Sequence, residues 1–378
     1  MTVQPTDYRI AVPAPVLEDL KYRLSRTRWA DTMRGSGWKY GADVGQVREL
    51  CEYWRTTYNW REHEDRLNQI PQFQARVDGV EIHFFHVRAR KPALMPLLLL
   101  HGWPGSVYEF AGLIEPLTNP DSDGWEPAFD VVIPSMPGFG FSGKPQEGGW
   151  NADRIAAAFH TLMRQVLGYS RFGVQGGDWG TIVGSRLASA YPDTLLGLHI
   201  NMPFAYPRNP SAEESAKFNA LMLAETGYMH LQNTKPDALT IAQADSPAGL
   251  AAWILEKFRS WSDCSGDVFS AFSKDDLITN LMFYWAPNSI ASAARAYFES
   301  AALDPPLFQH ARVSVPTGVA AFPKEPYRVP RDWVEPLFNI VSWTDMPRGG
   351  HFPALEQPGL LVDDVQRFFA NRASDVSA

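Results

Sequence analysis

The sequence predicts an α/β protein: a doubly wound, mostly parallel sheet with a helical lid and an N-terminal accessory region. Three observations carry that expectation. From Leu97 onward, short and continuously apolar runs alternate with Gly/Pro-rich loops and helix-patterned stretches, the rhythm of strands buried on both faces of a parallel sheet. One run ends in Gly176-Gly177-Asp178-Trp179-Gly180, and a stretch rich in small residues (Thr181, Gly184, Ser185, Ala188, Ala190) follows, which fits a sharp strand-to-helix turn. After Pro203 the rhythm stops and helices and loops take over until strand-like Pro316 to Phe322 resumes it, as an insertion forming a lid would require.

In chain order, residues 1–90 read as the accessory region. Leu17, Leu20 and Leu24 follow helical spacing, as do Val47, Leu50, Cys51 and Trp54, whereas Trp29, Gly35, Gly37, Trp38 and Gly41 between them read as irregular chain. Phe73 to Val77, the Asp78-Gly79 turn and Val80 to Val87 form a hairpin with Val80, Ile82 and Phe84 on one face, able to extend the edge of the main sheet. His63, His83 and His86 lie here without an H-E-x-x-H pattern or a cysteine partner, so solvated or structural roles are expected and no metal site. The first part of the core, residues 91–202, supplies strands at Leu97 to Leu100, Phe129 to Ile133, Phe172 to Gln175 and Leu195 to Ile200, with a helix over Ile155 to Leu167. Residues 203–308 form the lid. The second part of the core, residues 309–378, adds Pro316 to Phe322, Phe338 to Trp343 and a closing helix through Leu360, Leu361, Val365, Phe368 and Phe369, with Ser374 to Ala378 frayed.

Composition narrows the function. A chain of 378 residues, 45% hydrophobic and 20% charged, can bury a large core unaided. Its formal charge of −8 argues against nucleic acid or an anionic membrane surface and favours a small ligand. The Met1 to Ile10 start has neither the basic nor the apolar region of a secretion signal, and Leu94 to Leu100 is far too short to span a bilayer. With only Cys51 and Cys264, a reducing cytoplasmic location is expected.

In an open parallel sheet, ligands bind beyond the carboxyl ends of the strands, so residues just after Leu100, Gln175, Phe322 and Trp343 should converge. The elbow there carries Asp178 where such turns usually carry serine. A carboxylate is already an anion at neutral pH, so a histidine in the site is free for another task. Asp178, an acid near Glu325 and His351 occur in the order nucleophile, acid, histidine of α/β-hydrolases with the first member exchanged. Each has a plainer reading, Asp178 as a helix cap, Glu325 as a surface charge and His351 as a packed loop residue. Their joint spacing at strand ends favours the catalytic set. Asp332, Glu335 and Asp345 compete for the acid position, and Glu325 is preferred because it follows a strand end directly. Backbone N–H groups of Trp179 and of Trp103, in His101-Gly102-Trp103-Pro104-Gly105-Ser106, are the expected oxyanion donors, since Pro104 has no N–H.

These motifs, with Arg28-Trp29, Tyr58-Asn59-Trp60, Pro134 to Ser142, Gly227 to Gln232, Phe322-Pro323-Lys324-Glu325 and Arg348 to Phe352, resemble the epoxide hydrolases of the microsomal and juvenile-hormone type through nearly the whole chain. The resemblance implies an α/β-hydrolase fold and catalytic roles for Asp178, Glu325 and His351. It also makes Tyr228 and Tyr297 the lid acids towards the epoxide oxygen, with Tyr284 the competing candidate and more at home in the core. It implies an alkyl-enzyme ester on Asp178, a vicinal diol product, a small-molecule epoxide as partner, and no metal or organic cofactor. A soluble member without a membrane anchor is expected, with a homodimer left open and a role in detoxification or in natural-product biosynthesis of the enediyne kind. The alternative is a dehalogenase displacing halide with the same aspartate. The Cys264 to Ser273 loop looks short beside animal relatives, which leaves the substrate range open.

Overall fold

The computed structural model describes residues 4–120, 127–307 and 312–372, and within them nine strands form one sheet. In chain order they are β1 (Thr6–Asp7), β2 (Gln72–Val77), β3 (Val80–Val87), β4 (Met95–Leu100), β5 (Phe129–Pro134), β6 (Phe172–Gly176), β7 (Leu195–Ile200), β8 (Val313–Ala321) and β9 (Phe338–Asp345). The spatial order is β1-β2-β3-β5-β4-β6-β7-β8-β9. From β5 to β9 every pairing is parallel, and the first three strands join antiparallel. The strands beside the elbow contain Leu97, Leu98, Leu99, Phe172, Val174 and Leu198, all fully buried, because helices cover both faces of the central sheet.

The hairpin turns at Asp78 (φ 48°) and Gly79 (φ 80°), and β3 docks on β5, so the N-terminal region is continuous with the main sheet. The alternation of Val80, Ile82 and Phe84 predicts one buried face. In the structure His83 and Phe85 on the other face are buried too, because β3 is an interior strand between β2 and β5. His83 lies between Ser135 and Gln72, His86 meets the Tyr169 hydroxyl and His63 meets Thr279. The three are thus occupied separately.

The helix expected over Ile155 to Leu167 begins at Ala152, where the Asn151 side chain accepts the Arg154 N–H, and it ends in a wider turn over Leu162–Val166. Between β7 and β8 the chain is largely helical, from Ala212–Glu225 through Gly227–Thr234, Pro236–Asp245, Pro247–Trp261 and Lys274–Trp285 to Ile290–Ala301. The Cys264 to Ser273 stretch, expected as a loop, contains a short helix, Val268–Ala271, because Asp267 caps the Phe269 N–H. The expected lid boundary at residues 308/309 and the frayed tail from Ser374 lie outside the described residues. Cys51 and Cys264 are buried free thiols, and burial pushes the Cys51 thiol up to about 12. No helix among the described residues is long and apolar enough to cross a membrane.

Candidate active site

Four strand ends build the site. β6 runs into Gly177 and Asp178, and the helix Trp179–Ala190 starts at once. Asp178 sits at φ 51°, ψ −125°, a conformation that costs a non-glycine residue about 1–3 kcal/mol and is kept where the surroundings over-determine it. The turn is held tight by Gly180, where an added Cβ would stand 1.9 Å from the Leu100 carbonyl oxygen of β4. The Asp178 side chain makes no helix-capping hydrogen bond, which removes the plainest alternative for it. Its Oδ1 instead accepts the Trp103 N–H at 2.7 Å, and its Oδ2 faces His351.

Trp103 is presented by the turn after β4. His101 shapes that turn: its Nε2 accepts the Met136 N–H, so its Nδ1 carries the proton that reaches the Gly102 carbonyl. Burial lowers its pKa to about 4, which keeps the ring neutral as this arrangement requires. Trp179 follows Asp178 as the first helical residue, with its N–H in the first turn, where a helix offers its amides no internal acceptor.

His351 stands in the loop after β9. Its backbone N–H bonds the Trp261 carbonyl at 2.8 Å, and the Gly349 N–H bonds the Asp263 carboxylate, so the end of the helix Pro247–Trp261 pins this loop. The His351 Nδ1 lies 2.7 Å from Glu325 Oε2. The other Glu325 oxygen accepts the Tyr327 N–H at 3.0 Å. The His351 Nε2 is 3.4 Å from Asp178 Oδ2, an ion-pair separation that leaves this nitrogen without a formed hydrogen bond. Burial disfavours the imidazolium. The Glu325 charge, the contacts with Asp178 and Glu325 and the Asp178 charge outweigh it and hold the His351 pKa well above its ordinary value. The rival acids are elsewhere: Glu335 pairs with Arg331 and Asp345 with Arg328 at the surface, and Asp332 is exposed.

The helical insertion supplies the roof. The Tyr228 ring stacks on Trp103 with centroids 4.8 Å apart and planes at 7°, and Tyr297 stands edge-on to Trp179 at 4.8 Å. Each elbow-side tryptophan thus seats one tyrosine, and the two tyrosine rings meet at 6.0 Å. Burial first, then the Asp178 charge, raise the Tyr297 pKa well above the phenol range; for Tyr228, burial is followed by Tyr297, Tyr327 and Asp178. Both are neutral hydrogen-bond donors. Tyr284, by contrast, donates to the Gly105 carbonyl at 2.6 Å within the core.

A cavity opens from Asp178 beneath this roof. Tyr228, Tyr297, Tyr327 and Asn233 give it polar groups, and Ile182, Met202, Phe204, Met222, Met229 and Leu307 make it mostly apolar. Sequence reasoning missed Tyr327 and Trp261. Tyr327 lines the cavity, hydrogen-bonds Glu325 through its backbone, and reaches the Glu225 carbonyl with its hydroxyl. Its place two residues after the acid was the available signal. Trp261 packs against His351, Tyr228 and Tyr327, a convergence with no local sequence signature.

A family model described as "alpha/beta hydrolase fold" matches residues 95–224, the stretch from β4 into the helical insertion, and the protein is an α/β-hydrolase. A second model, "Epoxide hydrolase N terminus", matches residues 5–110. The chain is 43% identical over 375 residues to a Stigmatella aurantiaca protein provisionally named as an epoxide hydrolase, an alignment spanning 96% of this chain and 84% of that one. It is 37% identical to "Epoxide hydrolase 1" of Oryctolagus cuniculus, over 96% of this chain and 88% of the relative. The crystal structure of juvenile hormone epoxide hydrolase from Bombyx mori superposes with a TM-score of 0.89 at 35% identity, covering 98% of this chain and 95% of the other. The chain therefore belongs to the epoxide hydrolase family, and the enzyme is an epoxide hydrolase.

Proposed function

We propose that the enzyme opens apolar epoxides to vicinal diols through an ester on Asp178. The observation that carries this is the disposition of Asp178, which is not a cap, holds one oxygen on the Trp103 N–H, has the other facing His351, and lines a cavity roofed by two neutral phenols. In the first step Asp178 Oδ2 attacks an epoxide carbon, and the C–O bond to the ring oxygen breaks. Tyr228 and Tyr297 hydrogen-bond the departing alkoxide and one of them gives it a proton, leaving a phenolate to be reprotonated in the second step. Neutral phenols do this without adding charge to the pocket.

In the second step His351 Nε2 removes a proton from water, whose oxygen attacks the ester carbonyl carbon. The carbonyl oxygen is Oδ1, already on the Trp103 N–H, so negative charge develops where a donor waits, with the Trp179 amide as second donor. The ester C–O bond to the carbonyl carbon breaks, the diol leaves with the proton from His351, and the second water proton passes from the new carboxyl group to the phenolate, which restores the Asp178 carboxylate and the phenol. Glu325 keeps the Nδ1 proton in place and Nε2 as the base. Esterification also neutralises Asp178 and so removes one support of the imidazolium, which lowers the His351 pKa and favours the neutral imidazole that can take up the water proton.

The cavity's side chains favour an uncharged, largely hydrocarbon epoxide. Two free buried thiols support a reducing compartment. Displacement of halide by the same aspartate would leave the phenol pair without a developing alkoxide to serve. A turnover panel of small, aryl and polycyclic epoxides set beside haloalkanes tests the assignment, and halide release with no epoxide turnover would overturn it.

A further inference from the structure

A second cavity, of about 20 Å³ and so with room for a single water, touches Asp178 from the other side. Asp178 is the residue common to the linings of the two cavities. No roof tyrosine lines this inner chamber; His351, Asn201, the turn at Gly102 and Trp103, and Glu109 do. Glu109 belongs to the short helix Val107–Leu113 and is buried. It fills the space over Gly105, where an added Cβ would stand 1.3 Å from Glu109 Oε1, so Gly105 admits the carboxyl group to the chamber. The mechanism above leaves this carboxyl unused.

We propose that the inner chamber holds the hydrolytic water and that Glu109 is a positioning residue that orients this water against the Asp178 ester. The inference rests on the ester route proposed above and assigns each half-reaction its own cavity: the epoxide enters beneath the phenols, and the water waits behind the nucleophile. His351, which must deprotonate that water, is on the chamber wall, and Asn201 is held there by the Gln175 amide at 2.9 Å. Burial, opposed by the His351 charge and assisted by that of Asp178, pushes the Glu109 carboxyl up to about 8, so at neutral pH it is a neutral acid that can accept one hydrogen bond and donate another. The ionisable groups around it are Asp178, His351, Tyr284 and, on the adjacent helix Pro353–Glu356, Glu356, whose carboxylate is taken up by the Asp263 and Phe352 N–H groups. Glu109 holds the water by hydrogen bonds alone; the proton removed goes to His351.

The test is single turnover of styrene oxide by the full chain and by Glu109→Gln and Glu109→Leu, with ester formation and ester decay followed separately and product oxygen traced in ¹⁸O-water. Expected are wild-type ester formation in both variants, decay slowed about 100-fold in Glu109→Leu, and decay within about fivefold of wild type in Glu109→Gln, which keeps the hydrogen-bonding groups. Equal slowing in the two variants would assign Glu109 a space-filling role and overturn the proposal, as would unchanged decay in Glu109→Leu. Should Glu109→Leu not fold, Glu109→Gln decides by itself: ester formation slowed as much as decay overturns the proposal. Failure to find ¹⁸O in the wild-type Asp178 peptide would instead sink the ester route itself.

Discussion

Replacing Tyr228 and Tyr297 by phenylalanine, singly and together, isolates the ring-opening step. The substitution removes one oxygen and leaves the ring, so the Tyr228 stack on Trp103 and the Tyr297 edge contact with Trp179, both at 4.8 Å, survive, and the fold should be intact. What is lost is a preorganised donor to a developing oxyanion in a buried site, a change worth about 2.7–4 kcal/mol, or about 100- to 1000-fold in rate. The rings meet at 6.0 Å and both hydroxyls serve one oxygen, so the remaining phenol compensates in part. Each single variant should therefore lose about 100-fold in ester formation and the double variant more than the product of the two, beyond about 10,000-fold, while hydrolysis of any ester formed stays near wild type. Stopped-flow intrinsic fluorescence in single turnover suits the question, because Trp103 and Trp179 flank Asp178 and report its alkylation. Ester formation within about threefold of wild type in both single variants, or slowing confined to ester decay, would refute the donor assignment.

Other consequences concern the triad and pH. His351→Gln should form the ester but hydrolyse it about 100- to 10,000-fold more slowly, whereas Asp178→Ala should form none; intact-protein mass spectrometry after mixing with epoxide reads both, and an adduct-free His351→Gln protein with the fold intact would contradict covalent catalysis. Because His351 is held above its ordinary value of about 6.5, its contribution to stability is fully present below that pH and lost as pH rises through the raised folded value. The Tm gap between wild type and His351→Gln should accordingly narrow with rising pH in that range, and a pH-independent gap would count against the imidazolium. For Glu109 the folded state holds a proton that the unfolded chain releases. Wild-type stability relative to Glu109→Gln should thus fall as pH rises from 4.5 to about 8, by an amount on the order of 4 kcal/mol, and level off beyond. Urea titrations across that range would show it, and parallel curves would mean that Glu109 is ionised in the folded protein.

How much of this was legible beforehand depends on the range of the interaction that decides each feature. Strand existence followed from apolar runs such as Leu97 to Leu100, because burial of a parallel strand on both faces leaves a continuous local signal. The elbow was legible for a similar reason: its geometry demands glycines at fixed offsets from Asp178, and Gly180 lies too close to the Leu100 carbonyl for any side chain. Details set by distant partners were not legible, among them the burial of His83 and Phe85.

The sequence by itself determined the class of sheet, the elbow and the identity of the residues near the strand ends, since all of these are written in local pattern and spacing. Which carboxylate serves His351 was left to the tertiary structure. Glu325, Asp332, Glu335 and Asp345 are chemically equivalent choices along the chain, and only folding buries Glu325 at 2.7 Å from the imidazole while sending Glu335 and Asp345 to surface arginines and leaving Asp332 exposed. The same holds for the two cavities that meet at Asp178. Tyr228, Tyr297 and Glu109 lie far apart in sequence, and no local pattern encodes that the first two face one side of the nucleophile and the third the other, because that division arises from how the helical insertion and the turn after β4 pack around one side chain.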